Sequence, residues 1–377
     1  MHRKQLAIVA LAGLLFGALF IAPTASGDSG LFGSAESAIV DLQTRVSALE
    51  AQVAALQSST TTTAPSTTAS VKPTTTTQST ATTLPGATFS QATINAAPAG
   101  STLTVPAGVW TGPFVISKSL KLVGSTDAIL TSHSTALLTI TGSNVTIEGI
   151  TIRGDYAVTE QRGVTLTGAS NITLKSLNIY DVGYSAVVGN PVTNLTVDDC
   201  TIRHCGDFGV HTKSSSGILV KNCTMSGFAS RLYPGHGIYF SNSTDCTATG
   251  NVISDVQRTE TTYEVSGIKY ASSTGLCSGN TITDSVAGIS IPGGYNVTVE
   301  NNTCRNLSYR GIYLLAGAHD CTIRGNTVDI APIGFEFSHY NTWPTRITLT
   351  GNTVASVGKA ISLGSATSCT VTGNSWQ

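Results

Sequence analysis

The chain has 377 residues, of which only 11% are charged, and its formal net charge is −1. It contains 38 Gly and many Thr, Ser, Val and Ile, a composition that favours β structure, because β-branched side chains fit a pleated surface and Gly supplies turns with positive φ. A net charge near zero argues against a polyanionic partner held by bulk electrostatics, so nucleic acid is not expected.

The N-terminus has the pattern of an export signal. His2, Arg3 and Lys4 precede an uncharged run over residues 6–22, and small residues follow it. This pattern predicts a signal peptide over residues 1–27. An uncleaved N-terminal anchor is the alternative, because the run is close to the shortest that can span a bilayer. In both cases the protein is expected to be secreted or held at the cell surface.

Residues 35–57 have a heptad pattern with β-branched residues at one core position and Leu at the other, namely Ile39, Leu42, Val46, Leu49, Val53 and Leu56. This seam predicts a short coiled coil and a homo-oligomer, trimer or dimer, formed through Ile39–Leu56. A lone amphipathic helix is the alternative, but one so short would be marginal in water.

Residues 58–87 are almost entirely Thr, Ser, Pro and Ala. A segment with so little to bury cannot offset its ordering entropy, so we expect a disordered linker. It would hold the rest of the chain away from a surface or from its partners.

From residue 88 to the C-terminus one sequence motif recurs, in which two inward-facing aliphatic residues flank an outward-facing residue. The second aliphatic residue of each copy falls at Leu122, Ile147, Leu174, Val197, Val220, Ala248, Cys277, Val299, Ile323, Leu349 and Val371. Such a period, with alternation inside each unit, predicts an all-β solenoid of about 11–12 turns whose strands stack in register. Residues 89–97 are expected to form a short capping helix.

The opening of this region, over residues 101–108 and 119–124, resembles that of right-handed parallel β-helix proteins of the pectate-lyase-like superfamily. The resemblance covers residues 88–377 and implies a right-handed parallel β-helix. It does not select a function, because the superfamily holds lyases, hydrolases, epimerases, tailspikes and non-catalytic proteins. One further row fits the fold, since stacked amides at a bend can hydrogen-bond along the solenoid axis: Asn251, Asn280, Asn302, Asn326, Asn352 and Asn374.

The eight Cys residues fall mostly in inward-facing slots of the repeat. We therefore expect most of them to be buried, free and apolar in character. Cys200 and Cys223 share one slot on neighbouring turns and are the pair best placed for a disulfide, should one exist. Spacings typical of a zinc site are absent from the sequence, so no metal ligands are assigned, and the sequence leaves open both the cofactor and a metal bound by Asp or Glu side chains.

The third strand of each turn carries an outward-facing row that is rich in side chains able to act in binding or catalysis. This row, called the groove row below, reads Thr165, Val188, His211, Tyr239, Lys269, Ser290, Tyr313, Glu336 and Ser362. Three enlarged connections, over residues 229–235, 257–265 and 339–346, enter or leave this strand and are expected to wall a groove.

A groove lined by aromatic and cationic side chains suits an extended uronate-containing sugar chain. Elimination from a uronate needs a group that neutralises the carboxylate and a base that removes the C5 proton. The candidate catalytic residues are therefore Lys269, His236, His211 and Tyr239. The candidate substrate-binding residues are Arg231, Tyr233, Arg310, Tyr313, Glu336 and Trp343.

Residues 235–237 (Gly-His-Gly) and 267–269 (Gly-Ile-Lys) resemble motifs of polygalacturonase-type glycoside hydrolases. In that family paired aspartates precede the first motif, but here Asp207 is followed by Phe208. The broken pair argues against hydrolysis.

We therefore predict an exported polysaccharide-binding β-helix, with lyase or epimerase chemistry on uronate chains as its candidate activity. A non-catalytic cell-surface scaffold or adhesin on an oligomeric stalk, binding a cell-surface glycan by avidity, is the main alternative. A tailspike-like or accessory β-helix with no carbohydrate role is the third.

Overall fold

The computed structural model describes residues 88–229, 231–258 and 265–376. The predicted signal peptide, coiled coil and linker lie outside these residues and stay predictions, as does the oligomer formed through Ile39–Leu56. No helix among the described residues is long and apolar enough to cross a membrane.

The described chain winds into a parallel β-helix, as predicted, and a short helix precedes its first strand. Helix α1 (Gln91–Ala96) begins at Ser90, whose side chain accepts from the backbone of Thr93 in a capping box. The first face of the solenoid is a 12-stranded parallel sheet, so the helix has about 12 turns. Its strands are β1 (Thr102–Val105), β4 (Leu120–Gly124), β7 (Val145–Glu148), β10 (Ala169–Lys175), β13 (Val192–Asp198), β16 (Ser216–Lys221), β19 (Thr244–Thr249), β22 (Gly275–Ser278), β24 (Val297–Glu300), β26 (Thr322–Arg324), β28 (Thr348–Thr350) and β30 (Thr370–Thr372).

The other strands form a second and a third face, which merge near the C-terminus. The second face holds β2 (Gly108–Thr111), β5 (Ala128–Thr131), β8 (Thr151–Arg153), β11 (Asn178–Val182), β14 (Thr201–Cys205), β17 (Thr224–Phe228), β20 (Val252–Val256) and β31 (Ser375–Trp376). The third face holds β3 (Phe114–Ile116), β6 (Ala136–Ile140), β9 (Arg162–Leu166), β12 (Ser185–Gly189), β15 (Phe208–Lys213), β18 (His236–Ser241) and β21 (Ser266–Ala271). Four long, bent strands serve both faces, namely β23 (Thr281–Pro292), β25 (Thr303–Leu315), β27 (Thr327–Phe337) and β29 (Thr353–Ser362).

The predicted phase of the repeat is confirmed along the whole first face. Every aliphatic residue used to define the repeat, from Leu122 to Val371, is the direct register partner of the next one. From Leu122 to Leu349 these side chains are completely shielded from solvent and form the spine of the core. Burial of one apolar row per face fixes the register, because a one-residue slip would turn that row outward.

The bends between faces depend on residues that accept a left-handed backbone. Asp181, His204, Asp255 and Asp284 occupy the same bend on different turns, with φ between 52° and 57°. Asp, Asn and His tolerate this region better than other side chains do, which explains their recurrence at the corners. His204, the fourth residue of β14, is thereby placed at a corner of the solenoid.

The predicted asparagine ladder is also confirmed. Each Nδ2, from Asn251 to Asn352, donates to the Oδ1 of the Asn on the next turn at 2.8–3.0 Å. The Oδ1 atoms also accept from backbone N–H groups, which satisfies the polar atoms of the bend inside the core.

Cys200 and Cys223 occupy the same slot on the two turns that precede the ladder. The Cys200 N–H points at the Cys223 sulfur at 3.5 Å, and both thiols are free and buried. The other six cysteines are also free, and all except Cys369 are buried. The cysteines therefore serve as buried apolar side chains, as expected.

Candidate functional site

Four side chains predicted to act together lie on three successive strands of the third face. Register pairs His211 with Tyr239 and Tyr239 with Lys269. The His211 and Tyr239 rings are stacked with 4.7 Å between centroids, and the Lys269 ammonium lies 5.4 Å from the centre of the Tyr239 ring. His236 lies edge-on to Tyr239 at 5.1 Å. The predicted convergence of these four residues is therefore present in the structure.

These residues line a pocket of about 270 Å³. Its other lining residues lie at or just before the start of a strand (Tyr184, Phe208), at the end of a strand (Lys213, Ser241), or in the connection before β18 (Tyr233, Pro234). Below we call this cavity the aromatic pocket. It combines four six-membered aromatic rings, two imidazoles and two ammonium groups, and none of its described lining residues carries a carboxylate.

His236 forms the buried floor of the aromatic pocket. The backbone N–H of Ser266 donates to His236 Nδ1 at 3.1 Å, so the proton of the neutral imidazole belongs on Nε2. Burial, reinforced by the Lys269 charge, holds the pKa of His236 well below its usual value. His236 is therefore a neutral hydrogen-bond donor at physiological pH.

His211 is a second neutral imidazole in the aromatic pocket. Burial, with smaller contributions from Lys213 and Arg162, lowers the pKa of His211 to about 4. Its Nδ1 is buried and finds no hydrogen-bond partner among the described residues. An imidazole that stays unprotonated can accept a proton from a bound ligand.

The wall of the aromatic pocket is held by a residue to which the sequence assigned no role. Asp207 is fully buried, and its Oδ1 accepts from the backbone N–H groups of Leu232 and Tyr233 at 2.8 and 3.2 Å. Burial raises the pKa of this carboxyl, and the two N–H donors oppose that shift. Asp207 thus positions Tyr233, whose ring packs edge-on against Tyr184 at 5.8 Å.

Arg231 anchors the same connection to an earlier part of the solenoid. Its guanidinium donates to the carbonyl oxygen of Tyr156 and lies 4.9 Å from the centre of the Tyr156 ring. The Tyr156 ring in turn stacks on His204, with 4.1 Å between ring centroids. Arg231, a predicted sugar contact, is therefore engaged in joining two connections.

Three other predicted substrate-binding residues do not line the aromatic pocket: Tyr313 and Glu336 of the groove row, and Arg310, three residues before Tyr313. Arg310 and Glu336 form a largely buried ion pair. The Arg310 guanidinium also lies 4.0 Å from the Tyr309 ring centre and 5.0 Å from that of Tyr313, which is itself buried. Their role as sugar contacts stays a prediction.

Trp343 also lies outside the aromatic pocket. Its ring stacks on His339 with 4.5 Å between centroids, in the connection after β27. Neighbouring Tyr340 is 74% exposed. This connection extends the aromatic surface along the groove row, and no contact joins it to the aromatic pocket among the described residues.

A second, larger cavity lies at the corner that follows β5, β8, β11 and β14. It has a volume of about 690 Å³ and is polar. His133 Nδ1 lies 3.0 Å from Asp155 Oδ2, and His204 Nδ1 lies 2.6 Å from Asp181 Oδ1. We call it the histidine–aspartate cleft. The sequence analysis missed it, although the recurrence of Asp and His at one corner of successive turns was a usable signal.

The side chains of the aromatic pocket are better suited to binding an anionic sugar than to hydrolysing a glycosidic bond. Hydrolysis uses two carboxyl groups on either side of the scissile bond. Asp207 is buried and does not line the pocket, and its Oδ1 is occupied by two backbone donors. Lys213 and Lys269, by contrast, can pair with a ligand carboxylate, and the rings can pack against sugar faces.

Comparison with known families agrees with the geometry of the solenoid. A family model described as "Right handed beta helix region" matches residues 135–291, and one described as "Periplasmic copper-binding protein (NosD)" matches residues 221–377. The chain is a right-handed parallel β-helix protein. The predicted resemblance to the pectate-lyase-like superfamily is thereby confirmed at the level of fold.

Solved structures give the same fold for this β-helix at low sequence identity. The mannuronan C-5 epimerase A-module of Azotobacter vinelandii is 17% identical, with a TM-score of 0.53 over 76% of this chain and 94% of that one. A polygalacturonase from Erwinia carotovora is 14% identical, with a TM-score of 0.53 over 82% and 99%. An exopolygalacturonase from Thermotoga maritima is 11% identical, with a TM-score of 0.58 over 74% and 84%. Among curated proteins, none matches the β-helix by sequence.

The second family description names copper, and a copper site would need several metal-binding side chains close together. Within the three described ranges, no three His, Cys, Asp or Glu side chains gather in a way that could hold a metal ion. The imidazoles of the histidine–aspartate cleft each face a carboxylate and do not converge. We therefore assign no copper ligands.

Proposed function

We propose that this protein is an exported β-helix that binds a uronate-containing polysaccharide in the aromatic pocket and modifies it by elimination or epimerisation. The observation that carries the proposal is the stack of His211, Tyr239 and Lys269 on three successive strands. Export is supported by the N-terminal sequence pattern and by the periplasmic family description.

Binding follows from the composition of the aromatic pocket. Tyr184, Tyr233 and Tyr239 offer aromatic surface to sugar rings, and the ammonium groups of Lys213 and Lys269 attract a uronate carboxylate. Polysaccharide-active enzymes among the structural neighbours agree with this proposal, although at their level of identity they establish the fold alone.

The same groups can carry out chemistry at C5 of a uronate. Lys269 pairs with the carboxylate and so stabilises the negative charge that develops when the C5 proton leaves. His211, which is neutral, takes that proton. In elimination the C4–O4 bond then breaks, Tyr239 protonates the departing O4, and a C4–C5 double bond remains. In epimerisation the C4–O4 bond stays intact, a water molecule protonates C5 from the opposite face, and His211 returns its proton to the hydroxide that remains.

The decisive experiment measures binding and turnover separately. The full chain is titrated with polygalacturonate, alginate and hyaluronan oligosaccharides by calorimetry, and product formation is followed by ultraviolet absorbance and by NMR. We expect binding to at least one of them. Lys269→Ala should weaken that binding about ten- to a hundredfold, the loss typical of a charged hydrogen bond.

Lys221→Ala is the matched control, because Lys221 lies on the first face and pairs with Asp198 at 3.3 Å. It should leave affinity unchanged. Absence of uronate binding, or equal losses in both variants, contradicts the proposal. Binding that persists with no turnover of any substrate supports the scaffold or adhesin alternative instead.

A further inference from the structure

The aromatic pocket and the histidine–aspartate cleft differ in charge. The aromatic pocket presents Lys213 and Lys269 with no carboxylate among its described lining residues. The histidine–aspartate cleft presents the carboxylates of Asp155 and Asp181 and one guanidinium, that of Arg153. A ligand that occupies both cavities must therefore offer different chemistry to each.

One short connection lines the aromatic pocket and contacts a residue that lines the cleft. Tyr233 lines the aromatic pocket, and Arg231 lies two residues earlier in the same connection. The Arg231 guanidinium donates to the carbonyl oxygen of Tyr156 and packs over its ring, and Tyr156 lines the cleft. The two cavities also share one turn, because His204 of the cleft and Phe208 of the pocket are four residues apart. They are therefore neighbours within reach of a single extended chain.

The carboxylates of the cleft are held in place for a ligand that donates hydrogen bonds. Each imidazole Nδ1 engages one carboxylate oxygen, and Asp155 Oδ1 also accepts from the backbone of Ala157 at 3.1 Å. A carboxylate fixed in this way accepts strongly from sugar hydroxyl groups and repels a second carboxylate.

We propose that the histidine–aspartate cleft is a second saccharide subsite that takes an uncharged, hydroxyl-bearing residue of the chain whose uronate occupies the aromatic pocket. The ligand is then a heteropolysaccharide with uronate and neutral residues in alternation, and a homopolymer of uronates is disfavoured. This inference rests on the proposed function and specifies its substrate class.

The test compares two ligand classes of equal length on the full chain at pH 8. Hyaluronan and unsulfated chondroitin oligosaccharides alternate uronate with a neutral residue, whereas oligogalacturonate is uronate throughout. We expect the alternating oligosaccharides to bind about tenfold more tightly or better, a ratio that corresponds to 1.4 kcal/mol. Asp155→Asn/Asp181→Asn should narrow this ratio to about twofold by strengthening oligogalacturonate binding, because it removes the repulsion.

Asn tolerates the left-handed backbone of Asp181, whose φ is 57°, so the variant should keep the fold. Asp329→Asn is the control, because Asp329 also has a nitrogen-bearing side chain as its partner, Arg305 at 3.1 Å, but lies farther along the solenoid. It should leave the ratio unchanged.

The inference is overturned if oligogalacturonate binds as tightly as the alternating oligosaccharides, or if the double variant does not change the ratio of the two affinities. Either result leaves the proposed function standing. Failure of both ligand classes to bind, or binding that is insensitive to Lys269→Ala, overturns the proposed function as well.

Discussion

His211 lies flat against Tyr239, with 4.7 Å between the ring centroids and 7° between the ring planes. The contact follows from the fold, because the two residues are register partners on adjacent parallel strands. Lys269 is the next partner along the same row, so Tyr239 separates an imidazole from an ammonium group. This order places a neutral imidazole and an amine on opposite sides of one aromatic ring.

The stability of the protein should fall between pH 6.5 and pH 4. Burial lowers the pKa of His211 to about 4. Between pH 6.5 and pH 4 the His211 imidazole is therefore protonated in the unfolded chain and neutral in the folded one, which favours unfolding as the pH falls. The stabilisation is complete above pH 6.5 and is lost as pH falls towards 4, by roughly 3 kcal/mol for a shift of this size. Urea unfolding at half-unit pH steps measures it, and His236 adds to it in the same direction.

His211→Phe should reduce this pH dependence, because Phe can keep the stack on Tyr239 but does not titrate. His133→Gln is the control, since the His133 side chain is 84% exposed and lies outside the aromatic pocket. An unchanged pH dependence in His211→Phe, or an equal reduction in the control, would show that the buried imidazole is not its source.

Much of the fold was predictable from the sequence because the same short-range interactions recur in every turn of the solenoid. Burial of one aliphatic row per face fixes the register, and the register brings His211, Tyr239 and Lys269 together without any knowledge of loops. The asparagine ladder follows from the same periodicity, since an amide at one bend finds its partner one turn away.

The parts of the site that were not predicted depend on irregular segments. Arg231 meets Tyr156 across 75 residues of sequence, and no periodicity relates the two connections. Arg310 and Glu336 lie outside the aromatic pocket, and their pairing was missed for another reason. Strand phase placed both on the groove face, but it could not show that they neutralise each other there.

Asp207 should prove to be a positioning residue for Tyr233. Asp207→Ala removes the acceptor of two backbone N–H groups and should release the connection over residues 231–235, since a hydrogen bond to a charged acceptor contributes about 1.5–3 kcal/mol. Trypsin cleavage after Arg231 should then accelerate about tenfold or more, the factor that corresponds to 1.4 kcal/mol. Asp207→Asn keeps an oxygen acceptor and should retain the wild-type cleavage rate.

Asp198→Ala serves as the control for cleavage, because Asp198 lies on the first face beside Lys221. Sugar affinity should follow the cleavage rate, falling in Asp207→Ala and recovering in Asp207→Asn. Equal cleavage rates in Asp207→Ala and the wild-type protein would refute the positioning role.

The Arg310–Glu336 pair should matter for stability more than for ligand affinity. Glu336→Gln leaves the guanidinium without its counter-charge in a largely buried site, a change that typically costs about 3–5 kcal/mol. The apolar double variant Arg310→Met/Glu336→Leu should be nearly as stable as the wild-type protein, because it removes both charges. Thermal unfolding by circular dichroism gives the comparison, and a fully stable Glu336→Gln variant would contradict it.

The asparagine ladder should be most sensitive at its centre. Asn302 is buried, donates to Asn326 Oδ1 and the Cys277 carbonyl at 2.9 Å each, and accepts from the backbone and side chain of Asn280 at 2.9 Å each. Asn302→Ala therefore leaves several buried polar atoms unpaired and should cost about 3 kcal/mol or more. Asn374→Ala, at the last described turn, touches atoms that water can reach and should cost less than half as much. Urea unfolding of the two variants makes the comparison, and equal losses would mean that the stacked amides do not stabilise the solenoid as a buried network.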